Sequence, residues 1–345
     1  HNEGAGITAT LAGLRAQTHA VDRIVVVADN CTDDTEQVAS AAGAEVFTTT
    51  GNEDRKAGAL NQALDVLLPT LRASDCVMAV DADSVPSPTF VEAALVALAD
   101  PEVGAVGGVF HGQSGGGLLG KLQRMEYTRY ARDVDRSRRV WVLTGTATLH
   151  RVGVLQEVAE ARGRSLHGGH GDVYDRTALT EDMEITLGVK ILGYRCVSPA
   201  ACTVVTEVMP TVRDLWRQRL RWQRGALENL HVYGISRITL PYLGQQALMI
   251  LSIVAMWLYA VCTGLSIWTG TIGFSPAWSS IGLIFVVERV VTVWRGGALA
   301  RGIAAILVIE MVYAMFLQAV FVAAARAALS RRPAAWHHVS AVEGR

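Results

Sequence analysis

The chain has 345 residues and a formal net charge of −1, enough for one large domain and an appendage, with no basic field of the kind that binds nucleic acid. Hydrophobic residues make up 50% and the mean hydropathy is +0.28, which excludes a purely soluble enzyme of ordinary composition. The excess is uneven: up to about Arg237 charged and apolar stretches alternate, whereas residues 238–287 contain no Asp, Glu, Lys or Arg.

In chain order, helical patterns over residues 6–17, 35–42, 57–68 and 89–99 separate short β-branched runs at 23–28, 44–48, 76–80 and 103–110. Such alternation predicts an α/β domain with a mainly parallel sheet, whose ligand lies at the carboxyl ends of the strands. Residues 29–34 and 81–83 directly follow two of those strands and fall on one rim. No strand pattern precedes the first helix, and an N-terminal piece is expected to lie outside the sequence. No signal-peptide pattern opens it either.

Beyond residue 110, a Gly-rich turn leads into an amphipathic helix over 118–132, and a Gly- and His-rich loop (162–175) precedes a helix over 183–192. Residues 211–231 form a strongly basic amphipathic helix suited to a membrane surface. Three apolar stretches follow, 245–269, 272–293 and 303–325, each near the roughly 20 residues that cross a bilayer. Glu288 and Glu310 are the acids of the last two, placed for helix packing or for a polar path. The resulting division is 1–210 catalytic, 211–240 interfacial, 241–328 transmembrane and 329–345 tail.

Three short constellations carry candidate chemistry. Asp81 and Asp83 flank a turn at a strand end, where two carboxylates can reach one hard cation, although such a pair is more often a solvated turn. Thr180, Glu181 and Asp182 open a helix, either as a cap or with Asp182 as a general base. Gln218, Arg221 and Trp222 lie on the basic helix, where the arginine fork suits a diphosphate and the indole a sugar ring. His167 and His170 lack further ligands and read as part of a solvated or gating loop. Trp336, His337 and His338 read as interfacial. The five cysteines are scattered without a paired motif, arguing against a disulfide framework or zinc cluster and for a reducing cytosol.

The ordered set resembles the family 2 glycosyltransferases, in the processive-type branch of cellulose, hyaluronan, chitin and poly-N-acetylglucosamine synthases. It runs from His1, Asn2 and Glu3 through Asp29–Thr35, Lys56–Asn61, Asp81–Asp83, Gly145–Thr148 and Thr180–Asp182 to Gln218–Trp222. The resemblance implies a GT-A nucleotide-sugar domain of α/β type, followed by an interfacial helix and about three membrane helices. It implies donor contacts from Asn2, Glu3, Asp29, Lys56, Asp81, Gln218 and Arg221, and Mg²⁺ or Mn²⁺ on Asp83. Thr144, Gly145, Thr146 and Trp222 would meet the acceptor, with Asp182 as base and Glu181 beside it. Asn30 departs from the second Asp that many relatives carry. The implied reaction passes sugar from a UDP-sugar, UDP-N-acetylglucosamine favoured, to a growing glycan at a lipid bilayer.

A transferase that decorates a lipid or protein would share the donor residues, and product length would separate the two. A nucleotidyltransferase is disfavoured by the absence of a Gly-rich nucleotide loop. A transporter is disfavoured because most of the chain is extramembrane, and a non-catalytic sensor because the needed carboxylates are present. The resemblance places the catalytic domain in the cytosol of a bacterial-type plasma membrane; Arg326, Arg331 and Arg332 also prefer that side, which an odd number of spans would not give them.

Overall fold

The computed structural model describes residues 1–271, 273 and 275–330. The Trp336–His338 stretch and all but the first residues of the expected tail lie outside the described residues.

The chain opens with α1 (Ile7–Arg15), β1 (Val25–Ala28), α2 (Thr35–Ala41), β2 (Glu45–Thr48) and α3 (Arg55–Leu67). Next come β3 (Cys76–Val80), the short β4 (Val85–Pro86), α4 (Phe90–Leu98), β5 (Val103–Gly107) and β6 (Val109–Gly112). The apolar run over 103–110 is thus two strands, broken at Gly108, with β5 and β6 belonging to different sheets. Then follow α5 (Gly117–Ser137), β7 (Ala147–Arg151), α6 (Val152–Ala161), α7 (Glu181–Ile191), β8 (Arg195–Val197) and β9 (Thr203–Thr206).

The central sheet has the order β3-β7-β5-β8; β1 and β2 pair parallel by themselves, and β4-β9-β6 form a third sheet. The α/β class holds, but the sheet is mixed rather than mainly parallel. β7 runs antiparallel to both β3 and β5: after α5 the chain enters it from the Thr144–Thr146 loop, at the carboxyl end of β3. Its residues mix polar and apolar side chains (Thr148, His150, Arg151), so they gave no apolar run to read.

Apolar burial follows the strand alternation. On one face, Ala105 meets Leu64 of α3, Val152, Leu155 and Val158 of α6, and Ile185 and Val189 of α7. On the other, Val106 and Leu149 meet Phe90, Ala94 and Leu98 of α4. Phe90 is wholly buried, and burying a side chain of that kind contributes about 1.5–3 kcal/mol.

The C-terminal part is helical: α8 (Val212–Tyr233), α9 (Leu240–Trp268), α10 (Pro276–Thr292), α11 (Gly297–Ala305) and α12 (Leu307–Leu329). Thr211 caps α8 by accepting from Asp214 N at 3.1 Å. Of the three expected spans, α9 (29 residues) and α12 (23 residues) are long and apolar enough to cross a membrane. α10 has 17 residues and carries Glu288 and Arg289 near its end. The third expected span is interrupted at Ile306: its first three residues end the separate α11 and the rest lie in α12. Glu310 has a packing role: it is 5% exposed and accepts from Arg129 of α5 at 2.7 Å, with Arg289 at 3.9 Å. α5, α8, α10, α11 and α12 share an apolar cluster that includes Met125, Leu215, Val290, Ile303 and Phe316.

Candidate active site

The site is assembled at the carboxyl end of β3. Val80 pairs with Ala147, and just beyond it Asp81 N donates to Thr146 O at 3.4 Å. A tight turn follows, in which Ser84 N donates to Asp81 O at 3.1 Å and Ser84 Oγ donates to Asp83 at 2.9 Å. The first turn of α3 brings Lys56 onto Asp81, with which it forms an ion pair, and to 3.1 Å from Glu181. Glu181 and Asp182 open α7, where the helix dipole favours negative charge. Asp182 accepts from Met183 N at 2.7 Å and from Gly145 N at 3.4 Å. Thr186 ties α7 to the facing loop, donating to Asp182 O at 2.6 Å and accepting from Leu143 N at 2.8 Å. A side chain at Gly145 would come within 2.9 Å of Lys56 Nζ and 3.3 Å of Asp81, so the close approach requires glycine.

Carboxylates outnumber cations here, and their titration reflects it. Burial, then Glu181, pushes Asp182 up to about 6 against the pull of Lys56. Burial raises Asp81, with Lys56 opposing and Asp83 adding. Burial is the largest influence on Glu181 and raises it, but Lys56, a backbone hydrogen bond and Arg221 together outweigh it and hold Glu181 below the usual range. Burial opposes the charge on Lys56, yet Asp81, Glu181 and Asp182 outweigh it and its pKa is raised. At the other end of the pair, burial and the like charges of Asp83, Glu207 and Asp81 lift Glu3 to about 7.

Asp29, at the end of β1, accepts from Thr49 Oγ1 and Asn52 Nδ2, both at 2.8 Å, and from Asn30 Nδ2 at 3.1 Å. Asn30 holds a left-handed turn (φ 48°) and also donates to Asn52 O at 3.0 Å, a conformation Asn tolerates better than most residues. Asn2 is turned to the neighbouring loop, bonding Thr32 N at 2.8 Å and Thr32 Oγ1 at 3.0 Å.

α8 closes the site from the opposite side. A side chain at Gly225 would lie 2.5 Å from Thr180 Oγ1, so glycine lets α8 touch the start of α7. Asn229 fastens the contact, donating to Thr180 O and Oγ1 at 3.2 Å. The Thr180 hydroxyl therefore serves helix packing, with no capping bond from it to α7.

These elements enclose a cleft of about 1590 Å³. Its wall holds Glu3, Asp29, Lys56, Asp81, Asp83, Thr144, Gly145, Thr146, Glu181, Asp182, Gln218, Arg221 and Trp222; of the expected site residues only Asn2 is outside it. Lys56 lies with Asp81 and Glu181 rather than in the Asp29 cluster. The cleft continues between β1 and β3, along Val25, Val27, Val77 and Ala79. Sequence reading missed Asn52, Tyr130 and Glu207 in the wall. Glu207 had one legible signal, an acid directly after the β-branched run of β9.

Among the described residues, no group of three or more His, Cys, Asp or Glu side chains is arranged to hold a metal ion. His167 instead meets Asp175 at 2.6 Å. The loop around it is anchored rather than loose: the buried Arg162 binds both oxygens of Glu184 and donates to His167 O at 2.7 Å and Val173 O at 2.6 Å. Asn61 adds bonds to Val173 N and to Tyr174 N and O at 2.8–3.1 Å.

Among solved structures, a mannosyltransferase from Pyrobaculum calidifontis, in complex with GDP-Man and Mn²⁺, superposes with a TM-score of 0.61 at 20% identity, covering 95% of this chain and 84% of that one. The fold is that of the GT-A glycosyltransferases. Residues 1–225 match the family model described as glycosyltransferase like family 2, and the chain belongs to that family. Among curated relatives, the poly-β-1,6-N-acetyl-D-glucosamine synthase of Staphylococcus aureus (strain COL) is 26% identical over 241 residues, 67% of this chain and 53% of that protein. The corresponding synthase of Staphylococcus epidermidis is 24% identical over 286 residues, 77% of this chain and 62% of that protein. The chain therefore spans little more than half the length of these relatives.

Proposed function

We propose that the chain is a metal-dependent inverting glycosyltransferase that moves N-acetylglucosamine from UDP-N-acetylglucosamine to a hydroxyl of a growing glycan at a membrane. The observation that carries this reading is that Asp81, Asp83 and Asp182 line one cleft, in which Lys56 joins Asp81 to Glu181 beside Asp182 and residues of α8 complete the wall. The acceptor oxygen attacks the anomeric carbon while the bond to the diphosphate oxygen breaks. The proton passes to Asp182, UDP departs, and the anomeric configuration inverts in this single displacement. Asp182, at about 6, is ionised near neutrality yet basic enough to take the proton as the oxygen bonds. Lys56 and Arg221 offset charge on the diphosphate, so no second acid has to protonate the leaving group.

Asp83 fits a Mg²⁺ or Mn²⁺ ion in a site completed by diphosphate oxygens. Its carboxyl is raised by burial and by Glu207, and Glu3 beside it is also raised, an excess of negative charge that a hard cation relieves. When bound, such an ion would neutralise charge developing on the leaving diphosphate. Asp29 and the Asn52 amide offer polar groups to the nucleoside, and Thr144, Gly145, Thr146 and Trp222 face the acceptor side.

The preference for UDP-N-acetylglucosamine follows the staphylococcal synthases. The membrane setting is supported by α9, whose 29 residues reach about 44 Å at about 1.5 Å each and whose apolar side chains, among them Leu251, Trp257, Leu258 and Val261, face outward. Calorimetric titration of the full chain with UDP-N-acetylglucosamine, UDP-glucose and GDP-mannose, with and without Mn²⁺, tests the donor assignment. Metal-dependent binding confined to UDP-N-acetylglucosamine is expected; binding of none of the three would overturn it.

A further inference from the structure

Arg219 lies between Gln218 and Arg221, and the reaction above makes no use of it. An arginine on a basic surface helix is ordinarily solvated, yet this one is 3% exposed. Its guanidinium sits over the Trp222 ring, 4.3 Å from the centroid, and 5.6 Å from that of Tyr127 on α5. One terminal nitrogen donates to Gln218 Oε1 at 2.5 Å and the other to Glu126 Oε2 at 3.1 Å. The same Glu126 oxygen accepts from Tyr313 Oη, on α12, at 2.7 Å. Side chains of α5, α8 and α12 thus converge on one buried cation, and four of them, Glu126, Tyr127, Gln218 and Trp222, belong to the wall of the cleft.

The chemistry is specific to arginine. A planar fork can hold two acceptors in its plane while stacking on an indole, whereas an ammonium offers neither the plane nor the fixed fork. The guanidinium stacked on the Trp222 ring, itself held by Glu126, restricts the ring. None of Asp29, Lys56, Asp81 and Asp83 bonds to this group; it meets the cleft at Trp222, on the acceptor side, and at Gln218, the one expected donor contact it holds.

We propose that Arg219 is the positioning residue for Trp222 and Gln218, and that Tyr313 of α12 fixes Arg219 through Glu126. α12, a helix long and apolar enough to cross a membrane, thereby sets the geometry of the acceptor end. The inference rests on the glycosyl-transfer reading of the cleft. It makes acceptor use depend on how α12 packs against α5 and α8.

The test uses the full chain in nanodiscs, with Arg219→Lys, which keeps the charge, and Tyr313→Phe, which removes only a hydroxyl. The near-UV circular dichroism of the chain minus that of Trp222→Phe isolates the Trp222 band. The same difference is then taken in each variant background. The band is expected to fall at least about twofold with Arg219→Lys and by a smaller amount with Tyr313→Phe. In transfer assays with short N-acetylglucosamine oligomers, the acceptor KM rises about tenfold with Arg219→Lys. Melting temperature holds, UDP affinity changes less than the acceptor KM does, and the effect on the acceptor KM vanishes when Trp222 is already Ala. An unchanged Trp222 band and acceptor KM in both variants would overturn the inference. So would a joint fall of UDP affinity and melting temperature, which marks a merely structural role. If the parent chain transfers no sugar, the glycosyl-transfer reading fails, while the Trp222 band still decides whether Arg219 orients the ring.

Discussion

Replacing Asp182 with Asn separates what this carboxylate does for the reaction from what it costs the fold. Its pKa rises on folding from 3.8 to about 6, through burial and the neighbouring Glu181. An acid held above its unfolded value destabilises the protein: below pH 4 the cost is absent, it grows as pH climbs through the window from 3.8 to about 6, and above that it is constant. At about 1.36 kcal/mol per unit the full cost near neutrality is about 3 kcal/mol. Asn escapes it, but its single acceptor oxygen cannot serve both Met183 N and Gly145 N, which gives back about 1 kcal/mol. The net gain of about 2 kcal/mol raises the melting temperature by several degrees, at about 2–4 °C per kcal/mol. Turnover should fall by about 10²–10⁴, the usual contribution of a general base. UDP release and thermal melting, measured on one preparation, check both halves. A variant that retained a tenth or more of the parent kcat, or that melted lower, would refute the reasoning.

Other perturbations have equally definite directions. Lys56→Ala removes the cation that opposes the rise of Asp182, so the acid limb of the pH–rate profile should shift to higher pH, while UDP affinity drops about tenfold. Arg162→Met leaves the buried Glu184 with Tyr233 but no cation and should cost about 3–5 kcal/mol in chemical denaturation, partly recovered by adding Glu184→Leu. Glu310→Gln weakens the tie between α12 and α5, at a cost of about 1.5–3 kcal/mol, seen as faster hydrogen exchange in both helices. Chelation with EDTA should abolish transfer and Mn²⁺ restore it in the parent chain, whereas Asp83→Asn should require far more Mn²⁺ for the same rate.

Legibility in the sequence followed the strength of local patterns. β3 was readable to its ends, because a purely apolar run stops at Asp81. α3, α5, α7 and α8 were readable because their apolar faces repeat at helical spacing. β7 was not: three of its five residues are polar, and only pairing with β3 and β5 makes a strand of them. The split of residues 103–112 into two sheets was equally hidden, since a single glycine separates two β-branched runs. In the site, the motif residues were legible by type and order, and the cleft gathers every expected site residue except Asn2. What stayed invisible were groups defined by distant partners. Arg162 with Glu184, Glu310 with Arg129 and Arg219 with Glu126 each join residues far apart in the chain, and no local spacing marks them.

The central claim, sugar transfer with Asp182 as base, is met most directly by a turnover assay on the full chain in lipid with Mg²⁺ or Mn²⁺ and a panel of UDP-sugars. UDP release and product size are followed beside Asp182→Asn. The account predicts release with UDP-N-acetylglucosamine, extended glycan products, and loss of both in the variant. Short single-addition products would reassign the acceptor to a lipid or protein. Release that persists in Asp182→Asn at the parent rate would contradict the account.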